Sequence, residues 1–104
     1  NVRAALAQLR DHNRNLAVVL DRGRKFRGLV SVNTLAEAER SGSEPKWDEA
    51  FIPGVKPAAD AMELSDVLSI VAGSEHPVPV IDEDGVYRGI IDRKILLQTL
   101  DKAG

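Results

Sequence analysis

The chain has 104 residues, no cysteine and a formal net charge of −2. That length allows one compact body with a modest core, and the lack of cysteine excludes disulfides, thiolate metal sites and cysteine nucleophiles. Apolar residues make up 43%, charged residues 29% and aromatics 4%; no apolar run reaches membrane-spanning length, and an acidic, aromatic-poor chain is not built for a nucleic-acid polymer.

Val2, Ala5, Leu6 and Leu9 recur with helical spacing, and Asp11-His-Asn-Arg-Asn15 breaks the pattern. Leu16-Ala-Val-Val-Leu20 reads as a short buried strand, and Lys25–Val30 as its hairpin partner. Ser31 is placed to cap a helix reaching about Ala38, with Leu35 and Ala38 turned inward. Ser41-Gly-Ser-Glu-Pro45 punctuates, Trp47–Ile52 has room for one helical turn, and Pro53-Gly54 breaks again. Trp47 reads as a plug on the linker side of the core. Val55–Ala58 reads as a short extended piece, and Asp60 with Glu63 has capping-box spacing. Leu64, Val67, Leu68 and Val71 form the next apolar helical face, ended by Gly73-Ser74. A strand over Pro77–Ile81, an acidic turn, a strand over Val86–Ile91 and a helix capped by Asp92 follow, with Ile95, Leu96 and Leu100 facing in. Pro77 and Pro79 lack ladder donors and point to an edge strand or one lining a cleft.

The chain says the same thing twice. At a constant offset of 61 positions Asp21 falls on Asp82, Phe26 on Tyr87, Arg27 on Arg88, Gly28 on Gly89 and Leu35 on Leu96. A fixed-offset self-match decides the architecture. The boundaries expected from it are 1–41 for the first copy, 42–54 for a linker and 55–104 for the second copy. The Val55–Ala58 strand has no counterpart in the first copy, which is therefore expected to be truncated at its N-terminal side, as in a fragment of a longer protein.

Chemistry is sparse. Gly23-Arg-Lys-Phe-Arg-Gly28 has the glycine spacing of a phosphate loop, but Leu29-Val30 stands where Lys and Ser/Thr are required. His12 and His76 are the only histidines and share no metal-ligand spacing. Asp82-Glu-Asp84 lacks the alternating ligands of a calcium loop. No nucleophile–base set is present, so neither an enzyme nor a metal site is expected. Charge is uneven: residues 1–40 carry eight Lys/Arg against four acids, and residues 41–104 six against twelve. The contrast peaks in the repeated turn, with Arg22, Arg24, Lys25 and Arg27 in one copy and Asp82, Glu83 and Asp84 in the other. Two solvated hairpin tips are the plain reading; a module with opposite charge poles is the sharper one.

Two helix–strand–strand–helix copies, each leaving its second strand through Gly28-Leu-Val-Ser31 or Gly89-Ile-Ile-Asp92, resemble a tandem CBS-domain pair, a Bateman module. Val2–Leu6, Leu16–Ser31, Pro77–Asp84 and Tyr87–Ile91 further resemble the C-terminal region of the ATP-binding subunits of glycine betaine/proline ABC importers. The resemblance implies an α/β (α+β) fold of two βαββα repeats about a pseudo-twofold axis. It also implies a regulatory, non-catalytic appendage to an ATPase domain of the same chain, cytoplasmic and held at the inner face of the membrane through the permease. A homodimer is implied, and the charge poles favour a head-to-tail one. Such pairs often bind adenine nucleotides through Gly-apolar-apolar-Ser/Thr-x-x-Asp. Here Ser31 is kept and Thr34 replaces the Asp; in the second copy Asp92 and Ile95 stand at the two polar positions. An adenine nucleotide near Gly28, Ser31, Thr34, Val55 and Lys56, or cyclic di-AMP at a dimer interface, is the implied ligand. The competing expectation is regulation by ionic strength, with the basic turn on an anionic membrane surface or on the acidic turn of a second module.

Overall fold

A computed structural model describes residues 1–41 and 46–94; the expected inward residues Ile95, Leu96 and Leu100 lie outside the described range. The elements run α1 (Val2–Asp11), β1 (Leu16–Leu20), β2 (Phe26–Ser31), α2 (Val32–Ser41), α3 (Trp47–Ala50), β3 (Ala58–Ala59), α4 (Leu64–Ala72), β4 (Val78–Ile81) and β5 (Tyr87–Ile91). They divide into two compact units, residues 1–20 with 27–54 and residues 21–26 with 55–104. The tip of the first hairpin thus belongs to the second unit.

In the first unit, Asn1 starts α1 by accepting the Ala4 N–H on its side-chain oxygen at 2.8 Å, which satisfies one of the donors a helix start leaves open. Val2, Leu6 and Leu9 of α1 are buried against Val30, Leu35, Ala38 and Ala50, so the helical spacing in the sequence is the spacing of the core face. Trp47 and Phe51 pack on the same cluster, half-buried. β1 and β2 form a two-stranded sheet. Beyond β2, Phe51 bridges Val30 in antiparallel sense and the Ile52 N–H donates to the Leu29 carbonyl at 2.8 Å.

The second unit holds a three-stranded sheet ordered β3-β4-β5. β3 runs parallel to β4, pairing Ala58 with Val80 and Ala59 with Ile81; β5 is antiparallel to β4, with a register irregularity between Val80 and Ile81. Its core is Ala58, Val71 and Val78, supported by Val67, Ile70 and Ile91.

Three local expectations are corrected. β4, with Pro79 buried in it, is the central strand and not an edge. The two-residue β3 meets it at Val80 and Ile81, past Pro79, so the missing N–H leaves no gap in that ladder. The capping box at Asp60 does not form: Asp60 lies in a turn, and α4 begins at Leu64 after an extended Glu63 (φ −66°, ψ 149°) without a side-chain cap. Leu64 is consequently in the first turn and 70% exposed, outside the apolar face that Val67 and Val71 carry.

Candidate functional site

The two charged turns are built alike, atom for atom. The Asp21 carboxylate accepts the N–H groups of Gly23 and Lys25, both at 3.0 Å; the Asp82 carboxylate accepts those of Asp84 and Val86, both at 2.9 Å. An aspartate that closes its own turn in this way is the reason a turn forms there at all. Arg24 donates its N–H to the Asp21 carbonyl at 3.1 Å and Gly85 to the Asp82 carbonyl at 3.0 Å. Both sit in the left-handed region, at φ 62° and 84°.

The turns then dock on each other. The Phe26 N–H donates to the Gly85 carbonyl at 3.0 Å, and the Tyr87 N–H to the Arg24 carbonyl at 2.9 Å. These bonds exchange under the 61-residue offset, and the bridge between Lys25 and Val86 lies between them. The expectation of opposite charge poles is overturned: reciprocal backbone bonds hold the basic turn beside the acidic one. Arg22, Arg24, Lys25, Glu83 and Asp84 are exposed and Asp82 is half-buried. Arg27 has left this group. It lies in the first unit, its guanidinium 5.7 Å from the centre of the Phe51 ring and 3.8 Å from Asp48.

Left-handed backbone costs a residue with a Cβ roughly 1–2 kcal/mol, part of which glycine returns as unfolded-chain entropy. Arg24→Gly is therefore expected to stabilise the chain by about 0.5–1 kcal/mol, read as a higher urea midpoint. An unchanged or lower midpoint would contradict the strain.

Gly28, Ser31 and Thr34 lie together in the first unit. Ser31 ends β2 and caps α2. Its hydroxyl accepts the Thr34 N–H at 3.0 Å, while the Thr34 hydroxyl accepts the Ser31 N–H at 2.9 Å. This is a capping box in which threonine plays the part usually taken by Glu or Gln. The Thr34 hydroxyl also donates to the Ser31 carbonyl at 3.2 Å, so its hydrogen is spent within the cap. Ser31→Ala is expected to cost about 1 kcal/mol, measurable as a lower thermal midpoint; no loss would mean that the cap contributes nothing. Gly28 is buried under the Phe51 ring, with a hypothetical Cβ 2.7 Å from Phe51 Cδ1. Val55 and Lys56 open the second unit, half-buried and exposed respectively.

Beside the cap, Leu9, Arg10, Asn13, Arg14, Asn15 and Val32 line a depression of about 430 Å³. The Val32 N–H donates to the Asn15 carbonyl at 3.1 Å, tying the loop to the start of α2. The sequence offered Asp11–Asn15 only as a helix breaker; Arg10 just before it and Arg14 within it were the signal for a polar, cationic hollow. Nearby, the His12 ring Nδ1 bonds the Gln8 carbonyl at 2.9 Å, and no metal-ligand cluster forms among the described residues.

Known proteins agree with this architecture. Residues 53–102 match the CBS domain family. Over 103 residues the chain is 40% identical to the glycine betaine/proline betaine transport system ATP-binding protein ProV of Salmonella typhimurium, a match covering 98% of the chain and 25% of that protein. The chain thus spans about a quarter of the length of the curated relatives it matches. Among solved structures, Staphylococcus aureus OpuCA superposes with a TM-score of 0.82 at 16% identity, covering 99% of this chain and 87% of that one. Listeria monocytogenes CbpB, solved in complex with c-di-AMP, superposes at 0.75 with 19% identity over 99% and 82%. Among the described residues no helix is long and apolar enough to cross a membrane. The repeat, the fold and the relatives converge: the chain is a CBS-domain module, homologous over nearly its whole length to a part of the ATP-binding subunits of glycine betaine transport systems.

Proposed function

We propose that this module tunes an ATP-driven importer of glycine betaine or proline to ionic strength. The kinship to transport ATP-binding proteins supports an ATPase domain in the same protein, a permease partner, a homodimer and a place at the cytoplasmic face of the membrane. The observation that carries the sensing step is the docking of a basic turn on an acidic one, with backbones about 3 Å apart at Phe26–Gly85 and Arg24–Tyr87. The docked backbones bring the turn that carries Arg22, Arg24 and Lys25 beside the turn that carries Asp82, Glu83 and Asp84, with no ion pair between them among the described residues. Exposed pairs are worth up to about 1 kcal/mol each and are screened by salt. The Debye length falls from about 8 Å at 0.15 M to about 3 Å at 1 M, so osmotic shrinkage loosens the docked turns and any contact of the basic turn with anionic lipid. Reversing Arg22 and Lys25 to glutamate in the full transporter, reconstituted in anionic vesicles, is expected to move the salt threshold of uptake downward. A threshold that stays in place rejects the mechanism.

A second reading is a nucleotide sensor, favoured by fold neighbours solved with c-di-AMP and with AMP. It would use Gly28, Ser31 and Thr34 of the first unit, or bind cyclic di-AMP between two copies. Against it, a carboxylate accepts two ribose hydroxyls, whereas Thr34 offers one hydroxyl already engaged in the α2 cap. Calorimetric titration with AMP, ATP and cyclic di-AMP at low and high potassium salt separates the two. Micromolar binding lost in Thr34→Val establishes the sensor, and no binding at either salt leaves the electrostatic mechanism.

A further inference from the structure

Two strand edges carry the same motif, Arg-Gly-apolar-apolar, and one of them is covered. On β2 the cover is the chain's own Phe51-Ile52. Ile52 adds a main-chain bond to Leu29, and Phe51 bridges Val30. The ring occupies the space left by the missing side chain of Gly28, the Arg27 guanidinium lies over that ring, and the same guanidinium meets Asp48 three residues upstream. The covering segment therefore has a definite chemistry: an acidic residue, two spacers, an aromatic residue, an aliphatic residue.

On β5 the counterpart is Arg88-Gly89-Ile90-Ile91, and among the described residues it is bare. β5 is the edge of its sheet, and the first hairpin's turn meets that edge at Tyr87, whose N–H donates to the Arg24 carbonyl, leaving Arg88–Ile91 beyond the contact. Among the described residues nothing lies within 4 Å of a Cβ built on Gly89. Ile90 is 37% exposed, where its counterpart Leu29 is fully buried. Arg88 is exposed and has no ion pair among the described residues. A free edge offers unpaired N–H and C=O groups to any incoming strand, a glycine beside it leaves room for a ring, and an arginine next to it supplies both a cation–π contact and a carboxylate partner.

We propose that the outer edge of β5 is a docking strip for a segment of a protein partner with the pattern Asp-x-x-Phe-Ile, seated as residues 48–52 are seated on β2. The Phe-Ile step adds main-chain bonds to β5, as in strand addition to an open sheet edge; the ring rests on Gly89; Arg88 stacks on it and takes the acidic residue. The proposal is independent of how the module senses salt or nucleotide.

The test is a titration of the isotope-labelled 104-residue chain with a synthetic peptide Trp-Asp-Glu-Ala-Phe-Ile-Pro, followed by amide shifts. Saturable shifts at Arg88–Ile91 are expected. Replacing the peptide's phenylalanine by alanine should abolish them, and Arg88→Glu should weaken binding at least tenfold. Gly89→Leu should also block the ring, but Gly89 has φ 157°, unfavourable for a side chain, so Arg88→Glu is the variant that keeps the fold readable. Shifts confined to Arg27–Val30, where the peptide would merely replace its own copy, overturn the proposal. So does equal affinity for the variants. Shifts at Arg88–Ile91 on concentrating the protein without peptide overturn it in favour of a second copy as the occupant.

Discussion

Truncating Leu35 to alanine is expected to cost about 3 kcal/mol of folding stability. Leu35 is fully buried on α2 and packs into the cluster that joins Val2, Leu6 and Leu9 of α1 to Val30 of β2. Removing a buried leucine side chain forfeits its transfer free energy and leaves a cavity that close-packed neighbours fill only in part, about 2–5 kcal/mol together. A domain of this size holds about 5–15 kcal/mol in all, so the loss is a large share. Leu64→Ala is the matched control. It removes the same atoms from a side chain that is 70% exposed, and about 0.5 kcal/mol or less is expected. Urea unfolding of both variants checks the pair; equal losses would contradict the assignment of the core.

Gly28→Ala is expected to cost about 2 kcal/mol, although alanine is ordinarily the milder residue in a strand. The added methyl would stand 2.7–3.0 Å from three atoms of the Phe51 ring, closer than carbon atoms approach. Either the ring leaves the first core or the 51–52 segment shifts from β2, and overpacking of this kind costs about 1–3 kcal/mol. The signature is non-additivity. In a Phe51→Ala background the methyl has room, so the second substitution should cost at least about 1 kcal/mol less than it does alone. Additive losses would mean that Phe51 is not what makes Gly28 necessary.

How much of this was legible beforehand follows the range of each interaction. The helix faces of Val2, Leu6 and Leu9 and of Leu35 and Ala38 were readable because periodicity and burial are one fact. The Asp21 and Asp82 turns and the Ser31 cap were readable because a short polar side chain bonds backbone within four residues. Pro79 in a central strand was not readable, since it depends on where β3 starts. Nor was the ring on Gly28, which is supplied from 23 positions away. The docking of the two charged turns was misjudged most. Opposite composition suggested separation, whereas the reciprocal bonds of Arg24, Phe26, Gly85 and Tyr87 are set by backbone and are invisible to a reading of side chains. At the candidate nucleotide site the motif residues were found, but their hydrogen-bonding commitments to each other were not.

The hand-over of residues 21–26 to the second unit has a consequence for the order of folding. Each unit has its own apolar cluster, yet the edge of the second is completed by a turn that emerges from the ribosome before almost everything else in that unit. Closing the bonds between Phe26 and Gly85 and between Arg24 and Tyr87 brings together points some sixty residues apart. Long closures are slow in proportion to the chain entropy they must overcome. The first hairpin therefore waits, its strands paired and its tip unpartnered, until the acidic turn has been synthesised. The late event in folding is then the meeting of the two turns, and a nick at Gly54 would leave one piece with an idle tip and the other with an unfinished edge.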